Sequence, residues 1–188
     1  MTEQALVSKL VADRGNRVAE NIIVVGAGVA LLAVLAQVSI VLPWTAVPIT
    51  GQTFGVAFVS LIFGRKRALA TTASYLMLGA MGLPIFAKLG SALVWGPTLG
   101  YLLGMICASY FVGTLADRGW TTSFLKPWTA ATLGSVITFA CGLAVLAFFV
   151  SSDELLWAGL IPFLPGDVLK NTAAAALAMS ARRLRSQK

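Results

Sequence analysis

Histidine is absent from this chain, and only two cysteines and seven acidic residues occur among its 188 positions. Without histidine, the commonest general base and a frequent metal ligand are missing. Cys107 and Cys141 both lie in apolar runs with no CxxC-type spacing, so they read as packed thiols rather than a metal or redox pair. The chain has no GxSxG elbow and no cluster of carboxylates within its apolar runs. An intramembrane enzyme would need such an activated nucleophile or a metal site, so the chain reads as non-enzymatic, with no cofactor and no metal. A GxxxxGK[ST] phosphate loop is missing too, so the chain cannot itself couple ATP hydrolysis to anything.

Charge is scarce as well, at 11% of residues, while 58% are hydrophobic and the mean hydropathy is +0.86. A soluble domain is about 25% charged, so this composition describes an integral membrane protein. A span needs about 20 residues, and six spans with short connections use nearly the whole chain. The expected fold is an all-α six-transmembrane-helix bundle, a single domain over residues 1–188. Residues 1–17 are polar and mixed in charge, without the apolar core of a cleavable signal, and read as a short cytoplasmic amphipathic arm. The net charge of +7 would suggest nucleic acid in a soluble protein. Here the basic residues flank apolar runs, where they set orientation, and no nucleic-acid partner is expected.

The first span is expected over residues 21–42. Gly26, Ala30, Ala33 and Gln37 fall along one face of it, small side chains ending in a polar amide. Such a face allows close helix approach, either within the bundle or to a separate membrane partner. Pro43 and Pro48 make residues 43–53 an irregular interfacial loop. A second span runs to Phe63, closed by the basic run Gly64-Arg65-Lys66-Arg67, and a third covers 68–83. Residues 83–98 are too apolar for a free loop and too broken for a span, which predicts a lid or re-entrant segment. The fourth, fifth and sixth spans are expected over 98–115, 128–150 and from Gly166 to just before Arg182.

Twelve of the fourteen basic residues then fall on one side, from Lys9, Arg14 and Arg17 through 65–67, Arg118 and Lys126 to Arg182, Arg183, Arg185 and Lys188. That side is cytoplasmic by the positive-inside rule, with both termini on it. Lys88 and Lys170 are the exceptions, and both lie toward the outer side with the 43–53 loop. Two prolines and a glycine precede Asp167 in Pro162-Phe163-Leu164-Pro165-Gly166-Asp167, so Asp167 is expected at a helix N-terminus with Lys170 one turn on. An acid and a base inside a membrane segment mark a site, although Asp167 as a plain helix cap and Lys170 as a snorkelling side chain is the alternative. A cavity at that end would have aromatic walls from Trp44, Phe86, Trp95, Tyr101 and Phe163. Its polar groups would come from Thr50, Gln52, Lys88, Thr98, Asp167 and Lys170, a composition suited to a small amphiphilic anion.

Four ordered motifs carry a resemblance: Val47-Pro48-Ile49-Thr50-Gly51-Gln52-Thr53, Gly82-Leu83-Pro84-Ile85-Phe86-Ala87, Gly96-Pro97-Thr98-Leu99-Gly100-Tyr101-Leu102 and Pro162-Phe163-Leu164-Pro165-Gly166-Asp167-Val168-Leu169-Lys170. Together they resemble the BioY family, the biotin-specific substrate-binding (S) components of energy-coupling-factor importers. The resemblance implies a six-helix protein of a bacterial or archaeal plasma membrane that binds biotin near its outer face. It also implies a coupling transmembrane subunit and two ATPase subunits as partners, with Gly26, Ala30 and Ala33 at the partner interface. Leu99 stands where the family commonly has a doubled glycine, and Lys88-Leu89-Gly90-Ser91 replaces a glycine-rich run. A self-contained carrier or channel for a small organic anion is the alternative; it needs a polar route through the bilayer, and the intramembrane charges cluster at one end.

Overall fold

The computed structural model describes residues 17–91 and 95–186. Most of the expected arm, with Lys9 and Arg14, and the terminal Lys188 lie outside the described residues. Helix α1 spans Arg17–Gln37. It is followed by two short paired strands, β1 Ser39–Ile40 and β2 Ile49–Thr50, in antiparallel register with Ser39 opposite Thr50. The first helix therefore stops at Gln37, short of the expected end at residue 42, because Ser39 and Ile40 are drawn into this ladder. Of the 43–53 stretch, residues 43–48 are irregular as expected, while Ile49–Thr50 form the return strand and Gln52 already begins the next helix.

Helix α2, Gln52–Ala80, is two helices in antiparallel contact, broken at Gly64 where φ is 74° and ψ is 177°. Only glycine takes this conformation without steric cost, so the reversal falls on Gly64 alone and not on the whole basic run expected to form the loop. Arg65, Lys66 and Arg67 are helical. The first amide of the second half, Arg65 N, donates to Asp117 Oδ2 at 3.1 Å, so the restart is capped from another helix. The halves meet at the far end, where Gln52 Nε2 donates to the Tyr75 hydroxyl at 2.8 Å.

Helix α3 covers Leu99–Asp117, α4 Leu125–Leu146, the short α5 Ser152–Gly159 and α6 Leu164–Ser186. α4 begins three residues before the expected start because Pro127 fits the first turn of a helix, where its missing N–H costs nothing. α6 begins two residues early for the same reason at Pro165, after a 3-10 turn at Ile161–Phe163. Asp167 thus sits inside the first turn, not at the cap. α1, the two halves of α2, α3, α4 and α6 make six passes, and α5 packs at one end of them through Thr45 Oγ1 to the Ala158 carbonyl and Tyr101 Oη to the Gly159 carbonyl.

Among the described residues, three helices are long and apolar enough to cross a membrane by themselves: Val18–Gln37, Leu99–Asp117 and Leu125–Leu146. On α1, Val18, Ile22, Ile23 and Val34 are 66–69% exposed, an apolar surface a water-soluble monomer does not carry. The halves of α2 pack against α1, α3 and α6, and at the start of α6 Asp167 and Asn171 are buried while Val168 and Leu169 are exposed. Small residues make this packing possible. A Cβ on Gly113 of α3 would meet the Arg65 backbone at 2.6 Å, so α3 can lie against the α2 reversal only with glycine there. At that end Arg67 Nε also donates to Asn21 Oδ1 at 2.7 Å and Arg182 Nη1 to Thr121 Oγ1 at 3.1 Å. Basic residues from α2, α4 and α6, with Arg118 just after α3, therefore share the end opposite Asp167.

Candidate functional site

A cavity of about 270 Å³ opens at the end opposite the basic residues. Its base is on α6. Asp167 is buried, with Oδ1 accepting from Ser135 Oγ at 2.8 Å and Oδ2 from Asn171 Nδ2 at 2.8 Å. Lys170 Nζ donates to Thr53 Oγ1 on α2 at 3.2 Å. The acid and the base lie on one helix face as their spacing predicts, and each is tied to a neutral group from another helix.

One wall is a polar relay that links three segments. Thr50 Oγ1 donates to Gln52 Oε1 at 3.0 Å, Gln52 Nε2 donates to Tyr75 Oη at 2.8 Å, and Tyr75 Oη donates to the Ile85 carbonyl at 3.0 Å. Gln52 and Tyr75, the buried side chains of this relay, each have their polar atoms partnered, which a low-dielectric setting requires. The opposite wall is aromatic. Tyr101, Phe139 and Phe163 form a triangle with ring centroids 6.3–6.5 Å apart, and the Tyr101 hydroxyl donates to the Gly159 carbonyl at 2.8 Å.

The roof is a strap, residues 82–91, that leaves α2 through a positive-φ turn at Gly82. Phe86 folds down edge-on against Tyr75, centroids 5.4 Å apart, and fills the notch left by the absent side chain of Gly79. Lys88 and Leu89 adopt left-handed conformations, φ 58° and 57°, in the 3-10 turn Ala87–Leu89. Gln37, the last residue of α1, holds this turn from both ends. Its Nε2 donates to the Phe86 carbonyl at 3.0 Å, and its Oε1 accepts from Leu89 N at 3.1 Å. The expected lid is therefore a pinned strap across the bundle end, not a re-entrant loop.

Of the expected site residues, Thr50, Gln52, Phe86, Thr98, Tyr101, Asp167 and Lys170 all line the cavity. Trp44 and Lys88 stand outside the lining and are exposed. Next to Trp44, Thr45 is the inward residue, its hydroxyl donating to the Ala158 carbonyl at 2.6 Å. Trp95, expected in a wall, is 64% exposed and rests on Phe148 and Phe149. Thr53, Met105, Thr138 and Phe139 line the cavity without having been expected there. Phe139 lies one turn from Ser135 along α4, and a polar-aromatic face within an apolar helix was the available signal. Gly26, Ala30 and Ala33 lie together in a shallow apolar groove between α1 and the second half of α2, bordered by Leu83 and Ile85 of the strap.

With the geometry established, the chain can be set beside known proteins. The sequence profile of the BioY family matches residues 3–187. The chain belongs to the BioY family. A biotin transporter BioY of Thermotoga maritima is 36% identical over 167 residues, covering 87% of this chain and 96% of the relative. A biotin transporter BioY of Rhizobium etli is 32% identical over 144 residues, covering 70% of this chain and 75% of the relative. A crystal structure described as the S-component for biotin from an ECF-type ABC transporter superposes with a TM-score of 0.79 at 24% identity. It covers 93% of this chain and 95% of that one, which establishes a shared fold. This BioY-family chain is thus a six-pass membrane protein and not an enzyme.

Proposed function

We propose that the chain binds biotin in the outer-end cavity and serves as the S component of an ECF-type importer in the plasma membrane. The observation that carries this reading is the buried Asp167 beside a half-buried Lys170, both facing an aromatic-walled cavity in a chain of the BioY family. Biotin offers ureido N–H donors, an apolar bicycle and a carboxylate on a flexible chain. Asp167 accepts from a ureido N–H, Lys170 faces the polar groups of the ligand, and the bicycle packs on Tyr101, Phe139 and Phe163. The valerate runs toward the strap. Trp44 and Lys88 stand outside the lining and are not part of this contact set.

The cytoplasmic side is the basic end, which places the cavity outward. Gly26, Ala30 and Ala33 supply the surface for a coupling transmembrane subunit, because they put small side chains in an apolar, open groove. Two ATPase subunits complete the assembly. Titrating the purified protein with biotin by calorimetry and by thermal unfolding tests binding: a ligand selective for the native state must raise apparent stability. Absence of both heat and stabilisation at saturating biotin would refute the reading. Uptake of labelled biotin, with the chain alone and with a coupling module, tests the assembly.

A further inference from the structure

Asp167 and Lys170 face one cavity from adjacent positions of the same helix turn, where opposite charges ordinarily collapse onto each other. Their hydrogen bonds run elsewhere. Lys170 Nζ reaches Thr53 on α2, and both carboxylate oxygens of Asp167 are engaged by a pair behind it. Asn171, 2% exposed, donates through Nδ2 to Asp167 Oδ2 at 2.8 Å and to Ser135 Oγ at 3.0 Å. Ser135 then gives its single proton to Asp167 Oδ1 at 2.8 Å. The three side chains close a ring in which one donor reaches each carboxylate oxygen and a third hydrogen bond, from Asn171 Nδ2 to Ser135 Oγ, ties the two donors together.

Neither Ser135 nor Asn171 lines the ligand cavity. Ser135 lies at a separate packed void of about 10 Å³ beneath it, too small for a ligand. A carboxylate has about four lone-pair sites, and the ring uses one on each oxygen, so each oxygen keeps acceptor capacity on its cavity side. We propose that Ser135 and Asn171 are positioning residues that fix the Asp167 carboxylate as a ligand-facing acceptor and keep it apart from Lys170. This assignment rests on the biotin-binding reading above. Asn171 is one turn from Asp167 on α6 and Ser135 comes from α4, so the acceptor's orientation depends on the α4–α6 register.

The test measures affinity for biotin, and for a biotin derivative methylated on the ureido nitrogens, by calorimetry. The proteins are the parent, Ser135→Ala, Ser135→Thr and Asn171→Ala, each also in an Asp167→Asn background. Losing one donor to the carboxylate is expected to weaken biotin binding about three- to tenfold. Ser135→Thr, which keeps the hydroxyl, retains parental affinity. The methylated derivative, which cannot donate, loses no further affinity in the variants, so the ratio between the two ligands shrinks. In the Asp167→Asn background the substitutions change biotin affinity less than about twofold, since the acceptor they orient is gone.

Equal losses for both ligands, or the same loss in both backgrounds, would overturn the assignment and make the ring structural. Parental affinity in Ser135→Ala and Asn171→Ala would overturn it as well. If Asn171→Ala does not fold, Ser135→Ala, which removes one oxygen atom, decides alone. A parent that binds no biotin overturns the proposed function itself, an outcome distinct from a binding parent with silent variants.

Discussion

Gln37→Ala tests the strap. The substitution removes both hydrogen bonds to the strap at once, from Nε2 to the Phe86 carbonyl and from Leu89 N to Oε1. Each is worth about 0.5–1.5 kcal/mol net, so the pinned state loses about 1–3 kcal/mol relative to the released one. That is about a five- to 150-fold shift in the pinned-to-released ratio. If the parent strap is about 99% pinned, a thirtyfold shift leaves it about 77% pinned, so equilibrium affinity changes little while release becomes frequent. The expected result is a biotin dissociation rate raised about 10- to 100-fold in stopped-flow displacement, with a much smaller change in Kd. Trypsin should also cut faster after Lys88, which is exposed and lies in the turn that Gln37 holds. Gln37→Glu keeps the acceptor for Leu89 N and loses the donor to Phe86, and should fall between. Unchanged dissociation and unchanged digestion in Gln37→Ala would refute the idea that this side chain holds the strap.

Asp167→Asn exchanges a charge-assisted acceptor for a neutral one and should weaken biotin about ten- to a hundredfold by calorimetry, equivalent to about 1.5–3 kcal/mol. Lys170→Met should weaken it similarly, and the double variant should be no worse than either single one if the two act as a unit. Ala30→Trp places an indole in the groove of Gly26 and Ala33; it should block assembly with a coupling subunit in pull-down while leaving biotin affinity within about twofold. Tyr101→Phe strips the Gly159 carbonyl of its donor and should cost about 1–3 kcal/mol, read as a lower Tm in detergent.

The six passes were legible because apolar length is a strong signal, and Asp167 and Lys170 because ionisable groups in such runs are rare. The details that failed depend on partners distant in sequence. The 38–41 run leaves the helix because Ser39 and Ile40 pair with Ile49–Thr50, and no local rule specified that pairing. Trp44 points out and Thr45 in because neighbouring residues of a non-helical chain face opposite ways, a one-residue register that the aromatic content of the loop could not supply. Lys88 fell outside the lining because the strap turns through two left-handed residues there, neither of them glycine. Ser135 and Asn171 looked ordinary in sequence. Only the α4–α6 register brings them to one carboxylate.

The polar inventory of the cavity limits what the ligand must bring. Gln52 spends its carbonyl on Thr50 and an amide proton on Tyr75, the Tyr75 hydroxyl goes to Ile85, and the Tyr101 hydroxyl goes to Gly159. Thr138 gives its proton to the Gly134 carbonyl. The charged hydrogen-bonding capacity left along the described lining lies on Asp167, which accepts, and on Lys170, which has two further protons to give. A ligand seated there must offer a donor and an acceptor side by side, and a cyclic urea does so with N–H beside C=O. The pair also has zero net charge, so the empty site does not bury an uncompensated ion. Removing one partner leaves the other charge buried alone, at a cost of about 3–5 kcal/mol where burial is complete. For stability, then, the Asp167→Asn and Lys170→Met double variant should unfold at a higher temperature than either single variant, even though it binds biotin no better. A double variant less stable than both would mean that the two charges are already solvated in the empty protein, and that their burial does not shape the site.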